Sequence, residues 1–123
     1  EKKGEGTMRV GNLQTFRDFT DVRDIVRAYF LALVKGELGE VYNIGGTTTM
    51  TVGEFLKKLI SMAKVPISTQ LDSKLLRPSD VTLQIPSVEK FSKKTGWKPR
   101  YSFNESIAEL LSYWREQAKK QKK

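Results

Sequence analysis

The sequence predicts an α+β fold, a small helical domain with two or three short strands. Apolar residues recur at helical spacing in three segments, around 25–33, 52–63 and 107–114. Short β-rich runs fall between them, at about 8–13, 16–22, 41–44 and 67–71. Two T/S-x-x-E patterns, Thr51 with Glu54 and Ser102 with Glu105, mark helix starts by their capping-box spacing.

Residues 1–7, EKKGEGT, have charge and glycine but no apolar period, and are expected to form a flexible lead-in. Met8 to Leu13 suits a short strand or an ordered loop, and Phe16 to Val22 an extended segment. A helix is expected from about Val22 to Lys35, burying Ile25, Val26, Tyr29, Phe30 and Leu33. Asp21 or Asp24 would cap it, and Gly36 would stop it. Val41 to Ile44 reads as a brief strand ending in Gly45-Gly46. The helix after Thr51 should bury Val52, Phe55, Leu56, Leu59, Ile60 and Ala63, and Pro66 forbids its continuation. Ile67, Thr69 and Leu71 alternate with polar residues as a strand does, and a proline loop follows at 75–80. Ser87 would cap a short helix through about Lys94, closed by Gly96, with Trp97 packing at the junction. The last helix should bury Ile107, Leu110, Leu111 and Trp114. The domain proper is therefore placed at 8–117, with a basic tail at 118–123. So few strands leave sheet edges in need of a cover, which suggests a neighbouring element.

The 123 residues are 38% hydrophobic and 29% charged, within globular range. No run approaches the ~18 apolar residues of a membrane span, and no leader-like stretch opens the chain, so a cytoplasmic protein without membrane contact is expected. Cysteine and histidine are both absent, which excludes disulfides, Ser–His and Cys–His catalysis, and any zinc site built on those ligands. The net charge of +8 favours an anionic partner. Four of the lysines sit in the tail, and aromatics are not interleaved with basic residues as nucleic-acid surfaces require, so nucleic acid is a poor match.

Two arginines stand out. Arg17 lies between Phe16 and Phe19 in an extended segment, where a guanidinium needs an anion. Arg77 precedes Pro78, with Asp80 three positions on. The pair can clamp a diphosphate, or make internal salt bridges with Asp18 and Asp80; residue chemistry alone leaves both open. Gly45-Gly46 could cradle a phosphate or form a plain turn. No G-x-G-x-x-G, P-loop, G-x-S-x-G or Y-x-x-x-K is present.

The runs VGNLQTFRDFTDVRD, GEVYNIGGTTTMTVGEFL, LLRPSDVTLQIPSVEKFSKKTGWKP and YSFNESIAELLSYWRE resemble, in order, the C-terminal part of the GDP-mannose 4,6-dehydratases. These are extended short-chain dehydrogenases/reductases of the NAD-dependent epimerase/dehydratase family, and the likeness covers Met8 to Glu116. The resemblance implies that Arg17 and Arg77 contact the sugar-nucleotide diphosphate and that Asp80 hydrogen-bonds the ribose. It implies that Gly11 and Asn12 line the nucleotide pocket. It also implies a parent homo-oligomer that uses NADP or NAD, held mainly by a Rossmann domain not contained in these residues. The hydride shuttle and the loss of water that turn GDP-mannose into GDP-4-keto-6-deoxymannose would occur in that other domain. The chain alone, as a truncated part, is therefore expected to be inactive. The same clamp would serve a GDP-4-keto-6-deoxymannose reductase or another nucleotide-sugar epimerase. A basic nucleic-acid-binding or protein-interaction module is the alternative from another class.

Overall fold

The computed structural model describes residues 4, 6–46 and 48–120. Nine elements follow in order: β1 (Gly6–Val10), β2 (Phe16–Phe19), α1 (Val22–Lys35), β3 (Thr48–Thr51), α2 (Val52–Ser61), β4 (Ile67–Leu71), a 3-10 turn (Ser73–Leu75), α3 (Glu89–Thr95) and α4 (Phe103–Lys120). The fold is α+β. The strands form two separate pairs, β1 with β4 in parallel and β2 with β3 antiparallel.

The helix starts follow the capping chemistry. Thr51 Oγ1 accepts from the Glu54 amide at 3.0 Å, and Glu54 Oε2 accepts from the Thr51 amide at 2.7 Å. Ser102 and Glu105 repeat the exchange at the start of α4. Asp21 caps α1 by accepting from the Arg23 amide. The bidentate Arg23 guanidinium holds the Asp21 carboxyl well below the usual carboxylate range, against the opposing effect of its partial burial.

The innermost packing joins α1 to α3. Ala28, Phe91 and Trp97 are fully buried, with Leu31, Ala32, Tyr42 and Ile44 against them. Gly96 ends α3 at φ +74°, a left-handed backbone that suits glycine, and the reversal drives Trp97 back into the core. The Trp97 indole N–H donates to the Asp24 carbonyl at 3.1 Å. A second aromatic group ties β2 to α2 and α4: Phe19 stacks on Phe55 at 4.4 Å, and Phe103 meets both.

Several expectations need correction. Val41–Ile44 is not a strand, because no described segment lies alongside to form a ladder. The strand is β3 instead, a β-branched run that pairs with β2. Val88, not Ser87, stands at the start of α3, and no side chain caps it. β1 starts at Gly6, inside the 1–7 segment, and α4 continues to Lys120, into the 118–123 segment. The rest of those two segments, residues 1–3, 5 and 121–123, lies outside the described residues. The expected core face of α1 is also mostly open: Val26 (61%), Tyr29, Phe30 and Leu33 (84%) are exposed, and Ile25 is half-buried. Among the described residues, the flank carrying Ala28, Leu31 and Ala32 meets the core, where α3 supplies its partners. In α2 the apolar residues are half-buried, and in α4 Leu110 and Trp114 are exposed while Ile107 is buried.

Candidate functional site

Three chain segments meet at Arg17. The loop before β2 runs back along α2, whose first amides donate to its carbonyls: Val52 N–H to Thr15 at 3.0 Å and Gly53 N–H to Leu13 at 2.9 Å. On the other side, the loop after the 3-10 turn lies parallel to β2, through the Phe16 N–H to Thr82 carbonyl bond at 2.9 Å and the Phe16–Leu83 bridge. Arg17 thus projects between two anchored loops.

Its guanidinium is held by three acceptors. Nη1 donates to the carbonyls of Phe16 and Val81, both at 2.7 Å, and Nη2 donates to Asp80 Oδ1 at 3.0 Å. Asp80 Oδ2 accepts from Asn12 Nδ2 at 3.2 Å, and Asn12 Oδ1 accepts from the Gln14 amide at 2.9 Å. The Arg17 and Asp80 side chains keep 27% and 23% of their exposure, so the pair is partly open to solvent.

The sequence-predicted residues therefore divide. Asn12, Arg17 and Asp80 come together. Gly11 packs the loop instead: a Cβ there would lie 2.8 Å from the Leu75 carbonyl oxygen. Arg77 is exposed, three positions before Asp80, and forms no ion pair among the described residues. Of the internal pairings left open by the sequence, neither local one forms among the described residues: Arg17 takes Asp80 and not Asp18. Asp18 instead turns to the glycine turn, where its Oδ2 accepts from the Gly46 amide at 2.5 Å.

That contact bears on cofactor binding. A phosphate-cradling turn needs free amides and no neighbouring carboxylate. At Gly45-Gly46 the Gly46 amide is taken by Asp18, and a Cβ on Gly45 would meet Pro86 Cγ at 2.5 Å and Asp18 Oδ2 at 2.7 Å. The Gly45-Gly46 turn therefore does not fit a dinucleotide phosphate. No group of three or more acidic residues among them is placed to hold a metal ion. Among the described residues no helix is long and apolar enough to cross a membrane.

Sequence reasoning missed the part played by Asp24. It is fully buried and accepts from the amides of Arg100 (2.9 Å) and Tyr101 (3.1 Å) and from Arg27 Nη2 (2.8 Å). Burial alone would raise its carboxyl, but the Arg27 and backbone hydrogen bonds outweigh it and hold the group below its ordinary value. The only signal in the sequence is Arg27 at i+3; the amides lie more than seventy residues away. A cavity of about 470 Å³ also opens beside Phe19, Phe55, Tyr101, Phe103 and Tyr113, but none of Asn12, Arg17, Arg77 and Asp80 lines it.

The arrangement matches the C-terminal part of extended short-chain dehydrogenases/reductases. A Pseudomonas aeruginosa RMD structure complexed with NADPH superposes with a TM-score of 0.82 at 30% identity, over 90% of this chain and 36% of that one. MoeE5 in complex with UDP-glucuronic acid and NAD gives 0.78 at 26% identity, over 90% and 37%. The UDP-glucose 4-epimerase of Thermotoga maritima with UDP-glucose gives 0.70 at 31%, over 93% and 36%. More particularly, the chain belongs to the GDP-mannose 4,6 dehydratase family, whose profile matches residues 1–110. It is 31% identical to the GDP-6-deoxy-D-mannose reductase of Pseudomonas aeruginosa over 107 residues, 87% of this chain and 35% of the relative. It is 32% identical to the dTDP-D-glucose 4,6-dehydratase of Mus musculus over 104 residues, 80% and 29%. The chain thus spans about a third of the length of the relatives it matches.

Proposed function

We propose that these residues form the substrate-binding part of a GDP-mannose 4,6-dehydratase-like enzyme and grip the diphosphate of a GDP-sugar. The observation that carries this is the state of the two arginines. Arg17 spends three of its five donors on the protein and keeps Nε–H and one Nη2–H, enough for a two-point grip on a phosphate. Arg77, in the adjoining loop, has its charge uncompensated by any described ion pair. Asp80 has lone pairs left for a ribose hydroxyl beyond its two present bonds, Asn12 holds it from the loop before β2, and Gly11 lets that loop pack against Leu75.

The exposed apolar side of α1, with Val26, Phe30 and Leu33, supports a further domain packed there, a Rossmann domain that would hold NADP or NAD. The 123 residues alone would then bind and orient substrate without turning it over. The 31% identical reductase favours a second reading, reduction of GDP-4-keto-6-deoxymannose. The full-length protein separates the two. A dehydratase converts GDP-mannose to the 4-keto-6-deoxy sugar with no net use of cofactor. A reductase leaves GDP-mannose untouched and oxidises one NAD(P)H per keto sugar. For the site itself, Arg17→Ala and Arg77→Ala should each weaken GDP binding about tenfold or more by calorimetry. Unchanged affinity in both would refute the clamp.

A further inference from the structure

We infer that Asp80 is a positioning residue for Arg17: its carboxylate aims the guanidinium at the diphosphate site and locks the two flanking loops before ligand arrives. This rests on the reading that Arg17 meets a diphosphate. The hydrogen bonds fix their own directions. Asn12 Oδ1 is committed to the Gln14 amide, so its Nδ2 must be the group that faces Asp80. Arg17 has only donors to offer. Asp80 is therefore the acceptor between two donors, one on each oxygen, and each donor comes from a different segment.

The two carbonyls on Nη1 fix one end of the guanidinium, and Asp80 fixes the other. With both ends held, the plane is set and the two remaining donors have a defined direction. An arginine on a free tether would have to give up side-chain freedom on each binding event. Asp80 also neutralises much of the charge that would otherwise be unpaired in a partly buried place.

The isosteric variant Asp80→Asn is the sharp probe, because an asparagine presents one acceptor oxygen to two donors and must release either Arg17 or Asn12. Binding is read in the full-length protein with two probes, inorganic pyrophosphate and GDP. Positioning predicts that Asp80→Asn weakens pyrophosphate about fivefold or more, and GDP by at least the same factor, since GDP would also lose the ribose contact. It also predicts that the loss of pyrophosphate binding disappears in an Arg17→Ala background, which general damage to the fold would not do. If GDP binding falls while pyrophosphate binding holds, Asp80 serves only the ribose and the inference is overturned. A gain in pyrophosphate affinity overturns it too, since Asp80 would then be competing for Arg17. No effect of Arg17→Ala on pyrophosphate would sink the diphosphate reading underneath, a different failure. Where binding is too weak to compare, the ligand-free protein still decides: in Asp80→Asn the Arg17 guanidinium should rotate faster by ¹⁵N NMR, and an unchanged rate contradicts the inference.

Discussion

Two aspartates, Asp24 and Asp80, each take an arginine and at least one further nitrogen donor, yet they build opposite kinds of site. Asp24 is sealed. Its oxygens are filled by Arg27 and by the amides of Arg100 and Tyr101, while Arg27 Nη2 also donates to the Lys98 carbonyl and the guanidinium faces Trp97. The carboxylate itself has no exposed surface to offer a ligand. Asp80 is half open, and the arginine it holds retains two donors. What separates the two pairs is the carboxylate: the Asp24 side chain is wholly buried, whereas that of Asp80 keeps 23% of its exposure. The ion pair itself does not distinguish the two cases.

Breaking the sealed pair should have the largest effect. Asp24→Ala deprives the part-buried Arg27 charge and two backbone amides of their shared buried acceptor, and should cost about 3–5 kcal/mol in urea unfolding while leaving GDP contacts in place. Next comes Gly45→Ala, which forces a methyl group against Pro86 and Asp18 and should cost about 1–3 kcal/mol in the same measurement.

Acid should act through the same sealed region. The native carboxyls of Asp21 and Asp24 lie below their ordinary values, so their contribution is complete above a pH of about 4. It is lost as pH falls below that point, through their lowered native values. An unfolding series from pH 6 to pH 2 should show stability dropping with acid, and the drop should be shallower in Asp24→Ala. Asp80→Asn should shift the urea midpoint least, by under about 1 kcal/mol, because the pair is partly solvated. A large loss of stability there would place Asp80 with Asp24 and erase the contrast.

The two sites also differ in how far the sequence reveals them. Local signals carried well: both capping boxes, the bounds of α1 and the run that became β4 follow from residues within a few positions of each other. Arg17 was legible as a candidate because a guanidinium in an extended apolar segment demands an anion, and Asp80 through its place three positions after Arg77 and the family resemblance. Their pairing across 63 positions was not, since Asp18 is an equally good partner on sequence grounds. Asp24 gave no such warning, because backbone amides at 100 and 101 carry no residue-type signature. The strand at 48–51 was hidden behind the more hydrophobic run at 41–44, which has the composition of a strand but no described ladder partner. Likewise the apolar side of α1 has helical periodicity without a described covering element, which fits a chain spanning a third of its relatives' length.

Hydrogen–deuterium exchange of the full-length protein with and without GDP tests the central claim most directly. Added GDP should protect amides in two peptides, one covering 11–18 and one covering 75–83, and leave the Asp24-bound segment at 97–101 unchanged. Protection confined to the aromatic cavity around Phe55, Phe103 and Tyr113, with none at Arg17 or Arg77, would contradict it.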